Sequence, residues 1–201
     1  AAEIVPVEII EDDGSRRWVD RDQNPRPYTT VEMMAALDPI AKPGGTVTSA
    51  TVSFASDGAA ALLLASEEKA KSLGMGAMAR IRSMAVTGVD PKITGIGTVV
   101  AARKALDRAG LDISEIDLVE INEAFSVVAL VCMRELGIPE EKANVNGGAV
   151  ALGHPMGATG AKLVTTLVHE MVRRKARFGL VTVGAGMGQG AALILENVDF
   201  T

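Results

Sequence analysis

A histidine in a glycine-rich loop is the first feature of this chain that could do chemistry. The loop is NVNGGAVALGHPMGATGAKL, residues 144–163, and His154 stands in it between Gly153 and Pro155. Glycines let a backbone approach a ligand closely, and a helix N-terminus attracts anions. A neutral imidazole here could donate a hydrogen bond to a developing oxyanion or accept a proton from a nucleophile. A structural histidine is the alternative, and the loop alone leaves both interpretations open.

The motif NEAF, residues 122–125, is a second candidate, and it follows the apolar run 116–121. The carboxyl ends of strands commonly carry the sites of α/β proteins, so the Asn122 amide could fix a water or a carbonyl there. The same asparagine also suits a helix N-cap. Glu123 would then lie in the first helical turn, where the helix dipole favours acidic residues. Packing in the core is the default role for Phe125.

A second glycine cluster, GAGMGQG, occupies residues 184–190. Its spacing resembles a dinucleotide-binding pattern, but the segment that follows, 190–196, has the character of a strand rather than a helix. This order argues against a generic nucleotide-binding domain. The cluster is therefore either a tight turn between two strands or a loop that offers backbone N–H groups to an oxyanion.

Composition narrows the class of protein. The net charge of −5 argues against a nucleic-acid binder, which usually has a basic face. The single cysteine, Cys132, lies inside an apolar helical segment, which predicts a buried, inert thiol and excludes a disulfide framework. We expect a cytoplasmic location, no metal site and no membrane span.

The elements that must position these residues alternate along the chain. We predict strands over 59–65, 79–88, 116–121, 178–183 and 190–196, although periodicity alone does not separate a strand from a helix over 59–65. We predict helices over 29–40, 66–74, 97–111, 122–137 and 157–175. Helices that alternate with apolar strands predict an α/β fold with a mainly parallel sheet.

Four segments resemble the thiolase family, in the order that the family has them. They are GIGTVVAARKAL (95–106), DLVEINEAFSVVAL (117–130), the His154 loop (144–163) and GMGQGAALILE (186–196). Residues 46–75 resemble the segment that enters the family's C-terminal domain. The resemblance covers nearly the whole chain, and NEAF and GGAVALGHPMGATG are its most specific parts.

The resemblance implies a thiolase-like layered α/β fold, with a mainly parallel mixed sheet and helices on both faces. Thiolases stack two similar halves and insert a loop domain in the first half. Residues 1–50 are therefore expected to be the end of the loop domain with a linker, and 51–201 the C-terminal domain. Thiolases cleave 3-ketoacyl-CoA with coenzyme A, or condense two acyl-CoAs. Coenzyme A and acyl-CoA would thus be substrates, and no bound cofactor is expected.

The matched motifs imply a role for individual residues. His154 matches the histidine that activates the nucleophilic cysteine and donates to a thioester oxyanion. Asn122 matches the asparagine that holds a water in that oxyanion hole, and Gly186 matches a glycine whose backbone N–H helps form the other hole. The positions near the pantetheine of coenzyme A correspond to Ser53, Ala124 and Phe125.

The chain also departs from the family pattern. Gly184 stands where the family has the cysteine of a Cys-x-Gly pattern, and a glycine cannot transfer protons. TSATVSFASDG (48–58) stands where the family has Gly-Asn-x-Ser-Gly before Asn-Asp-Gly, and Thr98 replaces a proline. The nucleophilic cysteine of thiolases lies in a segment of the first half of the fold, and nothing in this chain matches that segment.

Two functions stay open from the sequence. The chain could supply the C-terminal half of a thiolase-type acyltransferase, completed by an N-terminal half on the same or another chain, as His154 and Asn122 favour. It could instead bind acyl-CoA or scaffold a partner without catalysis, as Gly184 favours. In both cases the 201 residues alone are expected to be inactive in thiolysis. A companion chain or a homo-oligomer is expected, because half of a layered molecule leaves an apolar face uncovered. The missing initial Met suggests a piece that begins inside a longer protein, although processing would have the same result.

Overall fold

The computed structural model describes residues 3–199 of the chain. The strands are β1 (Val7–Ile10), β2 (Arg16–Val19), β3 (Ala79–Gly88), β4 (Leu118–Ile121), β5 (Phe178–Ala185) and β6 (Gln189–Asn197). The α-helices are α1 (Val31–Ala35), α2 (Glu67–Ser72), α3 (Gly97–Ala109), α4 (Ser126–Leu136), α5 (Ala149–Leu152) and α6 (Thr159–Arg174). Within the described range, no helix is both long enough and apolar enough to cross a membrane.

The central sheet has four strands in the order β3-β6-β5-β4. β4 and β5 run parallel, whereas β6 pairs antiparallel with both β5 and β3. The predicted α/β fold with a mixed sheet is confirmed, but the expectation that the sheet is mainly parallel is wrong for the described strands. The short turn Gly186–Gly188 joins β5 directly to β6, and a tight turn can only reverse the chain.

Helices cover both faces of this sheet, as expected. On one face, α3 and α4 pack on β4, β5 and β6 around buried residues such as Val99, Cys132 and Ile194. On the other face, α6 buries Leu163, Leu167 and Met171. β4 and most of β5 are therefore buried on both sides, whereas β3, at the edge of the sheet, alternates between buried or partly buried and exposed residues along part of its length.

A pair of glycines lets α3 lie close to β6. A Cβ on Gly190 would come within 2.1 Å of the carbonyl oxygen of Gly97, the first residue of α3. Any other residue at position 190 would push the helix away from the sheet. This contact fixes the start of β6, where the second glycine cluster ends.

Capping residues set several helix ends near their predicted positions, but α1 ends at Ala35 and not near residue 40 as predicted. Thr30 caps α1 and Ser66 caps α2, each accepting a hydrogen bond from a backbone N–H of its own helix. Gly110 and Gly137 end α3 and α4 in the left-handed conformation, which a residue without a Cβ adopts at low cost.

The predicted strand over 59–65 is wrong. These residues form no strand, and Leu63 and Leu64 are 78% and 72% exposed. A strand needs a hydrogen-bonding neighbour, and none of the described strands pairs with this segment. An apolar run of this length predicts burial but does not supply the partner.

The helix predicted over 122–137 begins later than expected. α4 starts at Ser126 with Phe125 at its N-cap position, so the interpretation of Asn122 as the cap is wrong. Phe125 has an extended backbone and forms an antiparallel bridge with Val52, so the helix does not begin before Ser126.

The first part of the chain lies largely on the surface. β1 and β2 form an antiparallel hairpin in which Val7 is opposite Val19, and nearly all of its residues are exposed. That residues 1–50 are the end of a loop domain stays a prediction.

Candidate active site

Asn122 and His154, two of the predicted site residues, lie side by side. Asn122 directly follows β4, and its N–H donates to the carbonyl of Thr182 at 3.0 Å, which extends the pairing with β5. Its side chain is buried, and Nδ2 lies 3.4 Å from Nε2 of His154. The other amide atom, Oδ1, is buried and has no hydrogen-bond partner among the described residues. The amide thus has an acceptor that is free for a small polar ligand.

His154 is held through its backbone N–H and through both nitrogens of its imidazole ring. Its backbone N–H donates to the carbonyl of Phe54 at 2.9 Å, and Nδ1 lies 2.6 Å from Oγ1 of Thr159. Partial burial lowers the pKa of His154, and the nearby positive charge of Lys162 lowers it further. The imidazole is therefore largely neutral near pH 7, which is the form that can accept a proton.

Gly153 is required immediately before this histidine. Its φ is +92°, and a Cβ would lie 2.3 Å from Oγ of Ser56. The carbonyl of Gly153 accepts a hydrogen bond from Nζ of Lys162 at 3.2 Å, which ties the loop to the first turns of α6. Backbone conformation and local contacts together set where His154 points.

Glu123 fastens the glycine loop to the end of β4, a role that the sequence analysis missed. It was expected in a first helical turn, but its carboxylate instead accepts hydrogen bonds from Nδ2 of Asn144 at 2.7 Å and from the N–H of Val150 at 3.1 Å. A Cβ on Gly148 would overlap this carboxylate, at 2.0 Å. The glycine at 148, which leaves room for an acid, was a usable signal.

Asn144 completes that attachment. Its Oδ1 accepts from the N–H of Ile121 at 2.7 Å, and its Nδ2 donates to the Ile121 carbonyl at 3.0 Å. Asn144 adopts a positive φ of 45°, which asparagine tolerates better than most residues. The first residue of the glycine loop is thereby paired with the last residue of β4.

The segment around Ser53 contacts both the NEAF motif and the loop that carries His154. The N–H and Oγ of Ser53 are both 3.1 Å from the carbonyl of Ala124, to which they donate. Ala55 forms a parallel bridge with His154, and Phe125 forms the antiparallel bridge described above. The predicted substrate-binding residues Ser53, Ala124 and Phe125 are therefore neighbours of the Asn122–His154 pair.

Phe54 is a second residue that the sequence analysis did not single out. It lies in the departing segment 48–58, and the tip of its ring would be 2.9 Å from a Cβ on Gly153. A large side chain at this position therefore packs directly on the loop that carries His154. The departure from the expected pattern was the available signal.

Gly184 and Gly186 lie at the carboxyl end of β5, the strand next to β4. Gly184 pairs with Gly190 across β5 and β6, and a Cβ there would be 3.4 Å from Cγ2 of Thr98, an ordinary contact. Gly186 opens the turn to β6, and a Cβ on it would meet no atom within 4 Å. Position 184 therefore has room for a Cβ, although the residue there has none.

Cys132 is buried inside α4, as predicted. Burial raises the pKa of its thiol to about 11, so it is not a thiolate near pH 7. Among residues 3–199, no group of three or more His, Cys, Asp and Glu side chains is arranged to hold a metal ion.

Glu120 is a buried carboxyl group behind the site. It lies on β4 two residues before Asn122 and is only 3% exposed. Burial and, to a smaller extent, the negative charge of Glu123 raise its pKa to about 8, against the opposing effect of the positive charge of Lys162. Glu120 is therefore mostly protonated at neutral pH, and no sequence pattern pointed to this.

The chain is similar in sequence to known proteins. The chain is 50% identical over 193 residues to an acetyl-CoA acetyltransferase of Pseudomonas aeruginosa, covering 96% of this chain and 49% of the relative. It is 50% identical over 202 residues to a 3-ketoacyl-CoA thiolase of Aeromonas salmonicida, covering 98% and 52%. The chain thus spans about half the length of these curated relatives.

Solved structures share the fold. An acetyl-CoA acetyltransferase of Bacillus anthracis superposes with a TM-score of 0.91 at 43% identity, covering 96% of this chain and 49% of that one. A human mitochondrial 3-ketoacyl-CoA thiolase in complex with CoA gives 0.84 at 39% identity, covering 90% and 46%.

Two family descriptions match the chain. The one described as thiolase, N-terminal domain, matches residues 1–68, and the one described as thiolase, C-terminal domain, matches residues 75–197. Because the second match alone covers more than half of the residues, the chain belongs to the thiolase family.

Proposed function

We propose that this chain supplies the C-terminal half of the active site of a thiolase-type acyl-CoA acyltransferase. The reaction would be thiolytic cleavage of 3-ketoacyl-CoA, or condensation of acyl-CoAs in the reverse direction. The observation that carries the proposal is the Asn122–His154 pair, with Nδ2 and Nε2 3.4 Å apart at the carboxyl end of β4. In this proposal residues 51–201 are the C-terminal domain, and residues 1–50 belong to the loop domain and its linker.

His154 would accept the proton of the nucleophilic cysteine, which an N-terminal half supplies. Its lowered pKa supports this, because a neutral imidazole is the competent base. Once protonated at Nε2, the same atom can donate to the oxyanion that forms when the thiolate attacks the thioester carbonyl. The unpartnered Oδ1 of Asn122 is a suitable acceptor for the water that would complete this oxyanion hole.

Substrate binding would use the segment beside these two residues. Ser53 donates hydrogen bonds to Ala124, and Phe125 bridges to Val52, the neighbour of Ser53; Ser53, Ala124 and Phe125 would line the pantetheine of acyl-CoA. A human relative has been solved in complex with CoA, which supports coenzyme A as the substrate carrier. The Gly186 N–H would contribute to the second oxyanion hole.

The partner in this proposal is an N-terminal thiolase half, on the same or another chain, in an oligomeric cytoplasmic enzyme. Exposed apolar residues support a covering protein surface, among them Leu63 and Leu64 before α2 and Val127 and Leu130 on α4. Such surface area is unfavourable in water unless another protein surface covers it.

A non-catalytic role remains the second candidate because of Gly184. Without a side chain there, the acid–base step assigned to that position in thiolases needs another group. The chain would then bind acyl-CoA, or support a partner, without turnover.

Turnover by a complete assembly tests the proposal. The chain is produced together with an N-terminal thiolase half, and thiolysis of acetoacetyl-CoA by coenzyme A is followed, with the chain alone as the inactive reference. His154→Ala should reduce the rate by about 10²-fold or more, because it removes the base. His169→Ala is the matched control, since His169 is exposed on α6. Equal rates in the two variants would exclude His154 from the reaction, and acyl-CoA binding without turnover in the unmodified assembly would favour the second candidate.

A further inference from the structure

Thr159, the first residue of α6, contacts the far side of the His154 imidazole. Its Oγ1 lies 2.6 Å from Nδ1 of His154 and 3.0 Å from the carbonyl oxygen of Pro155, to which it donates. Thr159 is only 2% exposed, so bulk water does not compete for its hydroxyl. The hydroxyl therefore joins the imidazole to the backbone of the loop that precedes α6.

The protons in this chain of contacts can be placed by counting donors. A threonine hydroxyl has one proton, and that proton is used in the bond to the Pro155 carbonyl. Oγ1 can then only accept from Nδ1, so Nδ1 carries the imidazole proton. In a neutral imidazole the other nitrogen is an acceptor.

The contact on the other side of the imidazole fits the same placement of the proton. Nε2 of His154 faces Nδ2 of Asn122 at 3.4 Å, and an amide nitrogen can only donate. If the proton were instead on Nε2, two donors would face each other at this contact. All three bonds therefore run from Asn122 through His154 and Thr159 to Pro155.

We propose that Thr159 is a positioning residue that holds His154 as the Nδ1–H tautomer, which leaves Nε2 unprotonated on the side of Asn122. A thiol that donates to Nε2 would replace the long contact of 3.4 Å from Nδ2 of Asn122. This deepens the proposed function and rests on it, because only this tautomer leaves Nε2 able to accept the proton of a nucleophilic thiol. The hydroxyl acts through His154 and does not touch the substrate.

The tautomer can be measured without any turnover. Long-range ¹H–¹⁵N spectra distinguish protonated from unprotonated imidazole nitrogens, and the chain has only two histidines, so both are readily assigned. The unmodified chain should show His154 with Nδ1 protonated and Nε2 unprotonated at pH 7.5. His169 is exposed and serves as the internal reference.

Two substitutions separate the hydroxyl from the shape of the side chain. Thr159→Val keeps the branched shape and removes the hydroxyl, so His154 should shift towards the Nε2–H form. Thr159→Ser keeps the hydroxyl and should keep the Nδ1–H form. Unchanged His169 signals and spectral dispersion report that each variant is folded. An Nε2–H tautomer in the unmodified chain, or an unchanged tautomer in folded Thr159→Val, would overturn the proposal.

Activity of the complete assembly then adds a kinetic readout. Thr159→Val should lower kcat about tenfold or more with little change in KM, and Thr159→Ser should restore it. If the tautomer behaves as expected but His154→Ala leaves turnover intact, the proposed function fails while the positioning by Thr159 stands. If kcat falls equally in Thr159→Val and Thr159→Ser, the hydroxyl is not the cause, and the positioning role fails.

Discussion

Nε2 of His154 lies 3.4 Å from Nδ2 of Asn122, although the two residues are 32 positions apart in the chain. Two attachments bring them together. Glu123 holds the glycine loop from the β4 side, and Lys162 holds the Gly153 carbonyl from α6. The pair therefore depends on residues that would themselves touch no substrate, and these supports can be tested separately.

Replacing Glu123 with alanine should release the glycine loop. The change removes the acceptor for Nδ2 of Asn144 and leaves the N–H of Val150 without its partner. We expect a loss of about 1–3 kcal/mol in the free energy of unfolding, typical of a partly buried charged acceptor. Urea denaturation measures this loss, and hydrogen exchange at the Val150 amide reports the local opening.

Glu141→Ala is the matched control for that change. Glu141 is an exposed glutamate in the same connection between α4 and α5. Its replacement should leave stability within about 0.5 kcal/mol, as is usual for surface positions. Equal losses in the two variants, or an unchanged Val150 exchange rate in Glu123→Ala, would contradict the role given to Glu123.

Gly153→Ala should destabilise the chain and displace His154. The backbone at this position has a φ of +92°, and a new Cβ would come within 2.3 Å of Oγ of Ser56. A strained backbone of this kind costs about 1–3 kcal/mol, before the steric clash is counted. Denaturation midpoints measure the cost. Gly157→Ala is the control, because a Cβ there meets nothing within 4 Å; a similar loss in both would argue against the clash.

Much of the architecture was accessible from the sequence. Alternation over 79–88 predicts β3 with its observed ends, and helical spacing from Gly97 predicts α3 up to the glycine at 110. These elements are specified locally, by periodicity and by capping residues. Cys132 was likewise predicted as buried because it falls on an apolar stretch of one helix.

Long-range pairing explains what the sequence did not reveal. Residues 122–125 form no helix, and Phe125 instead bridges to Val52, a contact that no local pattern contains. The direction of β6 follows from its turn and its neighbours rather than from its composition. Thr159 resembles any residue at the start of a helix until its hydroxyl is seen against His154. Side-chain roles set by tertiary contacts need the fold before they can be assigned.

Stability should fall as pH rises towards 8 because of Glu120. Its pKa is raised from 4.5 to about 8, so between these values the folded chain holds a proton that the unfolded chain has lost. The contribution of this group therefore decreases across that window, by up to about 1.4 kcal/mol per pH unit, and is constant above it. Glu120→Gln should flatten this slope and make the chain more stable than the unmodified form at pH 8.

Glu170→Gln provides the contrasting control for the pH experiment. Hydrogen bonds from Arg173 lower the pKa of Glu170 from 4.5 to about 2. Glu170 therefore stabilises the folded chain fully above pH 4.5, and this contribution is lost only as the pH falls from 4.5 to about 2. This variant should lose stability evenly between pH 5 and 8, without a change in slope. Urea titrations at several pH values measure both variants, and an unchanged slope in Glu120→Gln would show that this carboxyl does not titrate in the window.

Gly184→Cys should raise the thiolysis rate of the complete assembly. The position has room, because a Cβ would make only an ordinary contact of 3.4 Å with Cγ2 of Thr98. A thiol at the carboxyl end of β5 would supply the proton transfer that glycine cannot, and such transfers contribute about 10²-fold or more. Cys132 does not interfere, since burial raises its pKa to about 11.

Gly184→Ala is the control for the added Cβ and should give no gain. A large gain with Cys alone would mean that the Asn122–His154 side of the site is competent and that Gly184 limits it; equal rates in the unmodified chain, Gly184→Cys and Gly184→Ala would mean that another group performs the acid–base step, or that the assembly binds acyl-CoA without needing that step.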